Sequence, residues 1–353
     1  MKFGVNLLSQ HPTDRPQAEL YQEMLEQAEA AEALGFDSLF LNEHHPFDRT
    51  EELWLQPLPA LAGLATRTRR VGLGTNILVL PLYHPVRLAE DVAMIHAMSG
   101  GRFILGVAIG YKPEEFNAFG VPLKQRASRL EEQVDLIRRL WTETGVNFQG
   151  RHFTVTDVSL PVNTFPSPMP PIWVGAEVEP AIRRAGRLGD AWLPADTSSI
   201  SLLRADYEVY RQALEQAGRR LEELERPLMR ETFVLDDGRS ARETFAPYVV
   251  QKYREYWRMG APQLRAEFPD ENFGFDELCR DRFITGGPEE CIEQIERHRK
   301  ELGVTQMIFR IQKKGMPHRH VLDVLRVLGE KVIPFCRGTA RRNHHDRRGS
   351  CSE

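Results

Sequence analysis

Strand-like and helix-like segments alternate along almost the whole chain, and this alternation limits the fold more than any other feature. Short apolar runs such as Phe3–Leu8 have the length of buried strands, and longer segments such as Gln17–Leu34 have apolar residues at helical spacing. The predicted strands are residues 3–8, 37–41, 71–80, 103–109, 171–174, 191–193, 229–235 and 306–311. Eight strands that alternate with helices predict an α/β protein with a closed (β/α)8 barrel, the TIM barrel.

A doubly wound open sheet is the alternative fold, but it requires a glycine-rich loop after the first strand, and Ser9-Gln10-His11-Pro12 is not such a loop. Two segments interrupt the alternation. Val146–Val158 is typical of an inserted hairpin, and Gly260–Ile284 is irregular and rich in proline, glycine and charge, which is typical of a lid. We expect one barrel domain over residues 1–335 and a disordered, polar, arginine-rich tail over 336–353.

Composition and charge exclude several classes of function. The net charge of −4 gives no reason to expect a nucleic-acid partner, and no apolar run approaches the ~20 residues that span a membrane. The cysteines Cys279, Cys291, Cys336 and Cys351 are widely spaced and follow no metal-ligand pattern. Such cysteines are typical of reduced thiols, so we expect a cytoplasmic protein.

The segment Leu41-Asn42-Glu43-His44-His45 is the first candidate for chemistry, because it follows a predicted barrel strand. The carboxyl ends of barrel strands carry the active sites of TIM-barrel enzymes, and an imidazole exchanges protons near neutral pH. Two other interpretations remain open. Glu43 could pair with an arginine across the barrel, or the three side chains could ligate zinc. The chain has no further ligand-spaced cluster of His, Asp or Glu at later strand ends, so we predict no metal site.

Several motifs, in this order, resemble the bacterial luciferase family of flavin-dependent monooxygenases. They are Glu43-His44-His45, Val71–Thr75 continuing to Val79-Leu80-Pro81, His84–Arg87 with Ala89-Glu90-Asp91, Gly101-Arg102-Phe103, Arg126–Arg129 and Gly287–Ile292. The resemblance covers residues 1–334. It implies a (β/α)8 barrel and a homodimer that packs through helices including Pro85–Ser99. It also implies an enzyme that uses reduced FMN and O2, through a flavin 4a-peroxide, to oxygenate a small organic substrate, with a separate flavin reductase as electron source.

The resemblance also implies cofactor contacts. Asn76-Ile77 is expected to contain a non-prolyl cis peptide bond beneath the flavin ring. Small residues at Gly106, Ala108 and Gly110 would let the ring approach the backbone. The phosphate would be bound by Arg129 and by the segment Gly175-Ala176-Glu177-Val178 at the start of a helix. The chain departs from some relatives at Ala108, Ile109 and Val178, where they have cysteine, arginine and serine, and this weakens two expected phosphate contacts.

By the same resemblance, His44 is expected to transfer protons, His45 to contact the ring, and Glu43 to orient an imidazole or contact the flavin. Trp192 is expected to line the substrate pocket, whereas Trp173 is expected to pack in the core. Two other functions remain open. One is 5-deazaflavin-dependent hydride transfer, although such relatives tend to have a Ser-Asp-His pattern. The other is flavin binding without turnover. The sequence does not identify the substrate.

Overall fold

A computed structural model describes residues 1–7, 10–45, 52–161 and 164–338. The strands are β1 (Lys2–Leu7), β2 (Gln10–Pro12), β3 (Ser38–Leu41), β4 (Glu52–Trp54), β5 (Gly72–Thr75), β6 (Leu78–Val79), β7 (Phe103–Ala108), β8 (Val146–Gln149), β9 (Thr154–Val158), β10 (Ile172–Ala176), β11 (Ala191–Pro194), β12 (Pro227–Val234), β13 (Ile284–Gly286) and β14 (Gln306–Arg310). The predicted tail falls largely on residues 339–353, which lie outside the described part of the chain.

The helices are α1 (Gln17–Ala33), α2 (Pro57–Arg67), α3 (Pro85–Met98), α4 (Pro113–Ala118), α5 (Arg126–Thr142), α6 (Glu179–Leu188), α7 (Ile200–Gln216), α8 (Gly238–Arg258), α9 (Pro262–Glu267), α10 (Phe275–Cys279), α11 (Pro288–Leu302), α12 (His318–Val327) and α13 (Ile333–Cys336). A π-helical turn, Leu328–Val332, joins the last two, and 3-10 turns cover Leu80–Leu82, Leu123–Gln125 and Leu221–Glu223.

Parallel strands form the predicted (β/α)8 barrel. Their order is β11-β10-β7-β5-β3-β1-β14-β12, which follows the chain around a ring, with β14 between β1 and β12. The short strand β13 pairs with the end of β12. The remaining gap is crossed where β11 packs on β12, and Arg230 donates to the carbonyl of Asp196 at 3.2 Å. Phe40, Trp173, Leu193, Met229 and Ile308 come from different strands and pack together inside, so the lower barrel is a filled core.

Strand burial explains why the predicted strands are apolar runs rather than alternating patterns. Every residue of β3 is buried, and so is every residue of β12, because helices cover the outside of a parallel sheet while side chains fill the inside. Two motifs of the family resemblance are structural. The Arg102 guanidinium donates to the carbonyl oxygens of Thr68, Val71 and Ser99, and Glu290 accepts from the Gly287 N–H to cap α11.

The structure departs from the predicted elements at three places. Residues 71–80 do not form one strand: β5 ends at Thr75, a cis peptide bond joins Asn76 to Ile77, and β6 continues beside β7. Residues 260–284 are not wholly irregular, because α9 and α10 lie within them. The antiparallel pair of β2 and β4 was not predicted. The hairpin at 146–158 is confirmed as β8 and β9.

Candidate active site

Glu43 lies just after β3 and forms hydrogen bonds to the backbone at β6. Its buried carboxylate accepts hydrogen bonds from the Val79 N–H and the Tyr83 hydroxyl, and it lies 3.1 Å from His45 Nε2. Its own N–H donates to the carbonyl of Ile77 at 3.2 Å. Glu43 therefore holds the backbone just after the cis bond, at Ile77 and Val79, and orients one imidazole. No arginine pairs with it in the part of the chain that the structure describes.

His44 is paired with a carboxylate that the sequence analysis missed. Glu115 Oε1 lies 3.0 Å from His44 Nδ1 and 3.0 Å from the His45 amide nitrogen, which donates to it. Glu115 is 1% exposed. Burial by itself would raise the pKa of Glu115, but the hydrogen bond and positive field of His44 and the His45 N–H outweigh burial and lower it. Glu115 lies in the first turn of α4, in the segment that follows β7. An acidic residue after the carboxyl end of a barrel strand is a candidate for the active site, and the sequence alone contains this signal.

Aromatic rings surround the two histidines. The His44 ring centre lies 4.7 Å from that of Trp54 and 6.0 Å from that of Tyr111, and the His45 ring centre lies 4.8 Å from that of Phe119. The side chain of His44 is 21% exposed. Its Nδ1 faces Glu115, and its Nε2 has no hydrogen-bond partner among the described residues. Nε2 is therefore the atom of this imidazole that can exchange a proton with a bound molecule.

The strand ends beside Glu43 form a surface of small residues. A Cβ atom added to Gly175 would lie 3.2 Å from Ala108 Cβ and 3.3 Å from Ile77 Cγ2, so these residues are in close contact. Gly110 has a φ of 71°, and a Cβ there would collide with Val79. The structure thus brings Asn76-Ile77, Ala108 and Gly110 together with the Glu43 segment at one rim of the barrel.

Arg129 lies in the first turn of α5, at the same rim. Its Nε donates weakly to the Pro81 carbonyl at 3.4 Å, and the guanidinium lies 4.7 Å from the centre of the Phe153 ring. Burial lowers the pKa of Arg129. Arg129 forms no ion pair with its helix neighbours Glu131 and Glu132. Glu131 instead pairs with Arg184 and Arg187, and Glu132 accepts from the backbone N–H groups of residues 151 and 152.

The start of α6 is the second predicted phosphate element. Glu131 pairs with Arg184 at 2.8 Å, so α5 and α6 are neighbours that both begin at the rim. Val178 precedes α6 without a side-chain cap. Pro180 has no N–H and the Ala181 N–H donates to the Val178 carbonyl at 2.9 Å, so the Glu179 N–H is the first-turn donor without a partner among the described residues. The Glu177 residue is exposed to solvent, but protein atoms lie close around its carboxyl group. Burial, and then the charge of Asp196, raises its pKa to about 7.

The two barrel tryptophans face opposite ways. Trp192 is 2% exposed, packs against Tyr207 and Tyr210 of α7, and donates from Nε1 to the Ala176 carbonyl at 3.0 Å. Trp192 faces α7, because its neighbours Ala191 and Leu193 take the inward positions of β11, and its expected role in lining the substrate pocket stays a prediction that this packing does not support. Trp173 points inward and stacks on Phe40 at 5.6 Å, in the core as expected.

The segment predicted as a lid is packed against the rim. Glu267 of α9 forms a buried ion pair with Arg282, and Arg282 Nε donates to the Thr197 carbonyl at 3.0 Å. Gln263 donates to the Glu177 carbonyl at 2.9 Å, so the segment also touches the predicted phosphate element. Its movement as a lid stays a prediction.

No group of three or more His, Cys, Asp or Glu side chains within the described residues is arranged to hold a metal ion. None of the helices in that part of the chain is both long and apolar enough to cross a membrane.

Comparison with known proteins agrees with the geometry. The family model for luciferase-like monooxygenases matches residues 1–306. An F420-dependent glucose-6-phosphate dehydrogenase of Nakamurella multipartita is 30% identical over 327 residues, which are 89% of this chain and 92% of that protein. The alkanal monooxygenase alpha chain of Photorhabdus laumondii is 25% identical, covering 97% and 99%. The crystal structure of a monooxygenase from Streptomyces bottropensis has a TM-score of 0.78 at 27% identity, covering 95% and 99%.

These relatives include flavin-type monooxygenases and F420-dependent dehydrogenases that share one barrel fold. The model match covers most of the chain, and the relatives align over nearly their whole lengths. The protein belongs to the luciferase-like monooxygenase family.

Proposed function

We propose that the protein is a monooxygenase that uses reduced FMN and O2 to oxygenate a small organic substrate. Relatives named as monooxygenases, and one solved relative described in complex with FMN, support a flavin-type cofactor. The observation that carries the proposal is Arg129, a partly buried guanidinium at the barrel rim that has no ion pair among the described residues. A buried cation without a counter-ion is costly unless it meets an anion, and a phosphate is a suitable one.

The described residues fit FMN in two respects. Phe153 of the β8–β9 segment covers the Arg129 guanidinium. A phosphate bound there could not continue past Phe153 into a further group, which suits the terminal phosphate of FMN. The small residues Ala108 and Gly175 beside Ile77 would let a flat ring lie against the backbone. In this arrangement Arg129 and the N-terminus of α6 would hold the phosphate, and Asn76, Ile77, Ala108 and Gly110 would contact the ring.

When bound, reduced FMN supplies the two electrons that let one oxygen atom of O2 enter the substrate while the other leaves as water. His44 would exchange a proton at Nε2, because Glu115 holds Nδ1 and fixes the ring. Glu115 would stabilise the protonated imidazole as its counter-ion. Glu43 would keep His45 and the strand end of β6 in position, and the packed segment around α9 would exclude water.

Hydride transfer with a 5-deazaflavin is the second candidate, because the relative at 30% identity is an F420-dependent dehydrogenase. The His44–Glu115 pair could serve either reaction, since both need a proton moved beside the cofactor. The experiment is a titration of the purified chain with reduced FMN, FMN and F420, followed by exposure to O2 with a flavin reductase present. We expect FMN to bind more tightly than F420. Free reduced FMN converts O2 to hydrogen peroxide by itself, so we expect substrate to lower the yield of hydrogen peroxide and to give an oxygenated product. Tight binding of F420 with no binding of FMN would favour the second candidate.

Binding of FMN without turnover of any substrate class would favour a third possibility, a flavin-binding protein. The His44–Glu115 pair supports an enzyme over a protein that only binds flavin. A buried carboxylate hydrogen-bonded to an imidazole helps to transfer protons, and binding the flavin ring and phosphate does not require it. We also propose that a separate flavin reductase supplies the electrons and that the protein acts as a cytoplasmic homodimer.

A further inference from the structure

A row of polar side chains lies inside the barrel directly above the apolar core. Gly4, Ile308 and Met229 are register neighbours on β1, β14 and β12, and two residues further along the same strands lie Asn6, Arg310 and Glu231. Side chains two residues apart on a strand share a face, so this second row also points into the barrel. The row lies at the carboxyl ends of the strands, which is the end that carries the candidate active site.

The charged side chains of this row form ion pairs with one another. Arg310 lies 2.5 Å from Asp196 and 3.8 Å from Glu231, and Lys313 pairs with the other oxygen of Glu231. Each carboxylate of the row therefore already has a cation beside it. A ligand that enters this row does not need to bring a charge to complete these ion pairs. We call Asn6, Asp196, Glu231, Arg310 and Lys313 the polar row.

Hydrogen bonding in the polar row is incomplete. Asn6 is 1% exposed, and neither its amide nitrogen nor its amide oxygen has a partner. Arg310 Nε, Glu231 Oε1 and the Tyr253 hydroxyl are also buried without hydrogen bonds. Buried polar atoms are normally paired, and several unpaired atoms at one place indicate that a partner belongs there. The set contains donors and acceptors, so the partner must offer both.

The polar row connects to the candidate active site. Tyr111 contacts the His44 ring, and its hydroxyl lies near enough to Tyr256, Glu177 and Arg310 for their charges to influence its pKa, which burial raises. Burial raises the pKa of Tyr256, and the nearby positive charge of Arg310 opposes that rise. Tyr111 is 55% exposed, contacts the His44 ring and lies within range of the charge of Arg310, so it links the histidine to the polar row. A substrate that reaches His44 can extend past Tyr111 toward Arg310 and Asn6.

Resting on the proposed function, we infer that the substrate is a neutral molecule with hydroxyl and carbonyl groups, whose polar end binds the polar row. A plain alkyl chain does not suit the polar row. It would displace water from the unpaired atoms of Asn6, Arg310 and Glu231 and would offer them no hydrogen bonds in its place. A polyol and a phenol share the required chemistry and are distinguished by the test.

The test measures binding of three neutral probes, D-glucose, resorcinol and hexanal, to the full chain by ligand-observed NMR, with and without FMN. We expect glucose or resorcinol to bind at least about tenfold more tightly than hexanal. The matched variants are Asn6→Leu in the polar row and Gln306→Leu at the opposite end of the barrel, where Gln306 donates to Ser38. Asn6→Leu should weaken the bound probe about fivefold or more, while its melting temperature stays equal or rises, because no hydrogen bond is lost.

Gln306→Leu should leave probe binding unchanged and lower the melting temperature, because it breaks a buried hydrogen bond. The inference is overturned if hexanal binds as tightly as the hydroxylated probes, if neither hydroxylated probe binds, or if Asn6→Leu leaves their affinity unchanged. FMN titration of the same samples separates the two proposals. A chain that binds FMN but not the hydroxylated probes contradicts only the substrate class, and a chain that binds these probes but not FMN contradicts only the proposed function.

Discussion

One oxygen of Glu115 lies 3.0 Å from Nδ1 of His44, and the same oxygen accepts the N–H of His45. A single buried carboxylate therefore fixes both the ring of one histidine and the backbone of the next. We expect Glu115→Gln to lower turnover by about one to two orders of magnitude, and His44→Ala by about two to four, with flavin affinity nearly unchanged in both. Steady-state kinetics and flavin titration measure the two quantities.

The contacts of Glu115 should also make the stability of the fold depend on pH. Its pKa is lowered in the folded chain, so its contribution to stability is present above the unfolded-state pKa and is lost as the pH falls through the lower folded-state value. Acid unfolding of the wild type should therefore contain a component that Glu115→Gln lacks. Identical acid-unfolding slopes for the two proteins would show that the carboxylate is not stabilised by His44.

Arg129→Ala should weaken the binding of FMN far more than that of riboflavin, because only FMN carries the phosphate. A charged hydrogen bond contributes about 1.5–3 kcal/mol, which corresponds to a loss of affinity of roughly ten- to a hundredfold. Arg138→Ala is the control, since Arg138 lies on the same helix but pairs with Asp190. Equal weakening of FMN and riboflavin would remove Arg129 from the phosphate site.

Glu43→Gln should destabilise the fold, because one oxygen of Glu43 accepts from the Val79 N–H and the other from the Tyr83 hydroxyl, and the amide nitrogen of glutamine cannot accept from whichever donor it then faces. Leaving buried donors unpaired costs about 1–3 kcal/mol for each group. Tyr83→Phe removes one donor and leaves the other contacts of Glu43, so it should cost less. Urea unfolding of both variants gives the free energies, and a Glu43→Gln protein as stable as the wild type would contradict the role of Glu43 in holding the backbone.

Glu177 should make FMN binding depend on pH around 7. Its pKa is raised by burial and by Asp196, so the folded chain holds a proton there up to about pH 7. The associated stability is present below the unfolded-state pKa of about 4.3 and is lost as the pH rises toward 7. Above that pH the carboxylate would repel the phosphate. We expect FMN affinity, but not riboflavin affinity, to fall above pH 7, and we expect Glu177→Gln to flatten the curve.

The predicted homodimer has a direct test. Met94 is 58% exposed and Met98 is 42% exposed on α3, one turn apart, which is unusual for large apolar side chains on a free surface. Met94→Glu with Met98→Glu should convert a dimer to a monomer at micromolar concentration in sedimentation velocity. Met259→Glu, at an equally exposed methionine on another side, is the control. A wild-type chain that sediments as a monomer would contradict the predicted dimer.

The order of strands and helices was predictable from the sequence, because buried parallel strands are apolar on both faces and helices repeat every 3.6 residues. That periodicity placed Leu39 in a barrel strand and the segment after it at the active end. Chain order also placed Arg129 at the start of a helix. Local pattern was enough for these features because each depends on residues close together in the chain.

Only the tertiary structure decided which side chains meet. Glu115 lies 71 residues from His44, and Arg310 lies 114 residues from Asp196, so no local pattern pairs them. Trp192 points outward because its neighbours in β11 point into the barrel. All four residues of that strand are apolar, so the sequence does not show which of them point inward. The polar row arises from register across three strands, since Asn6, Arg310 and Glu231 become neighbours only when the barrel closes.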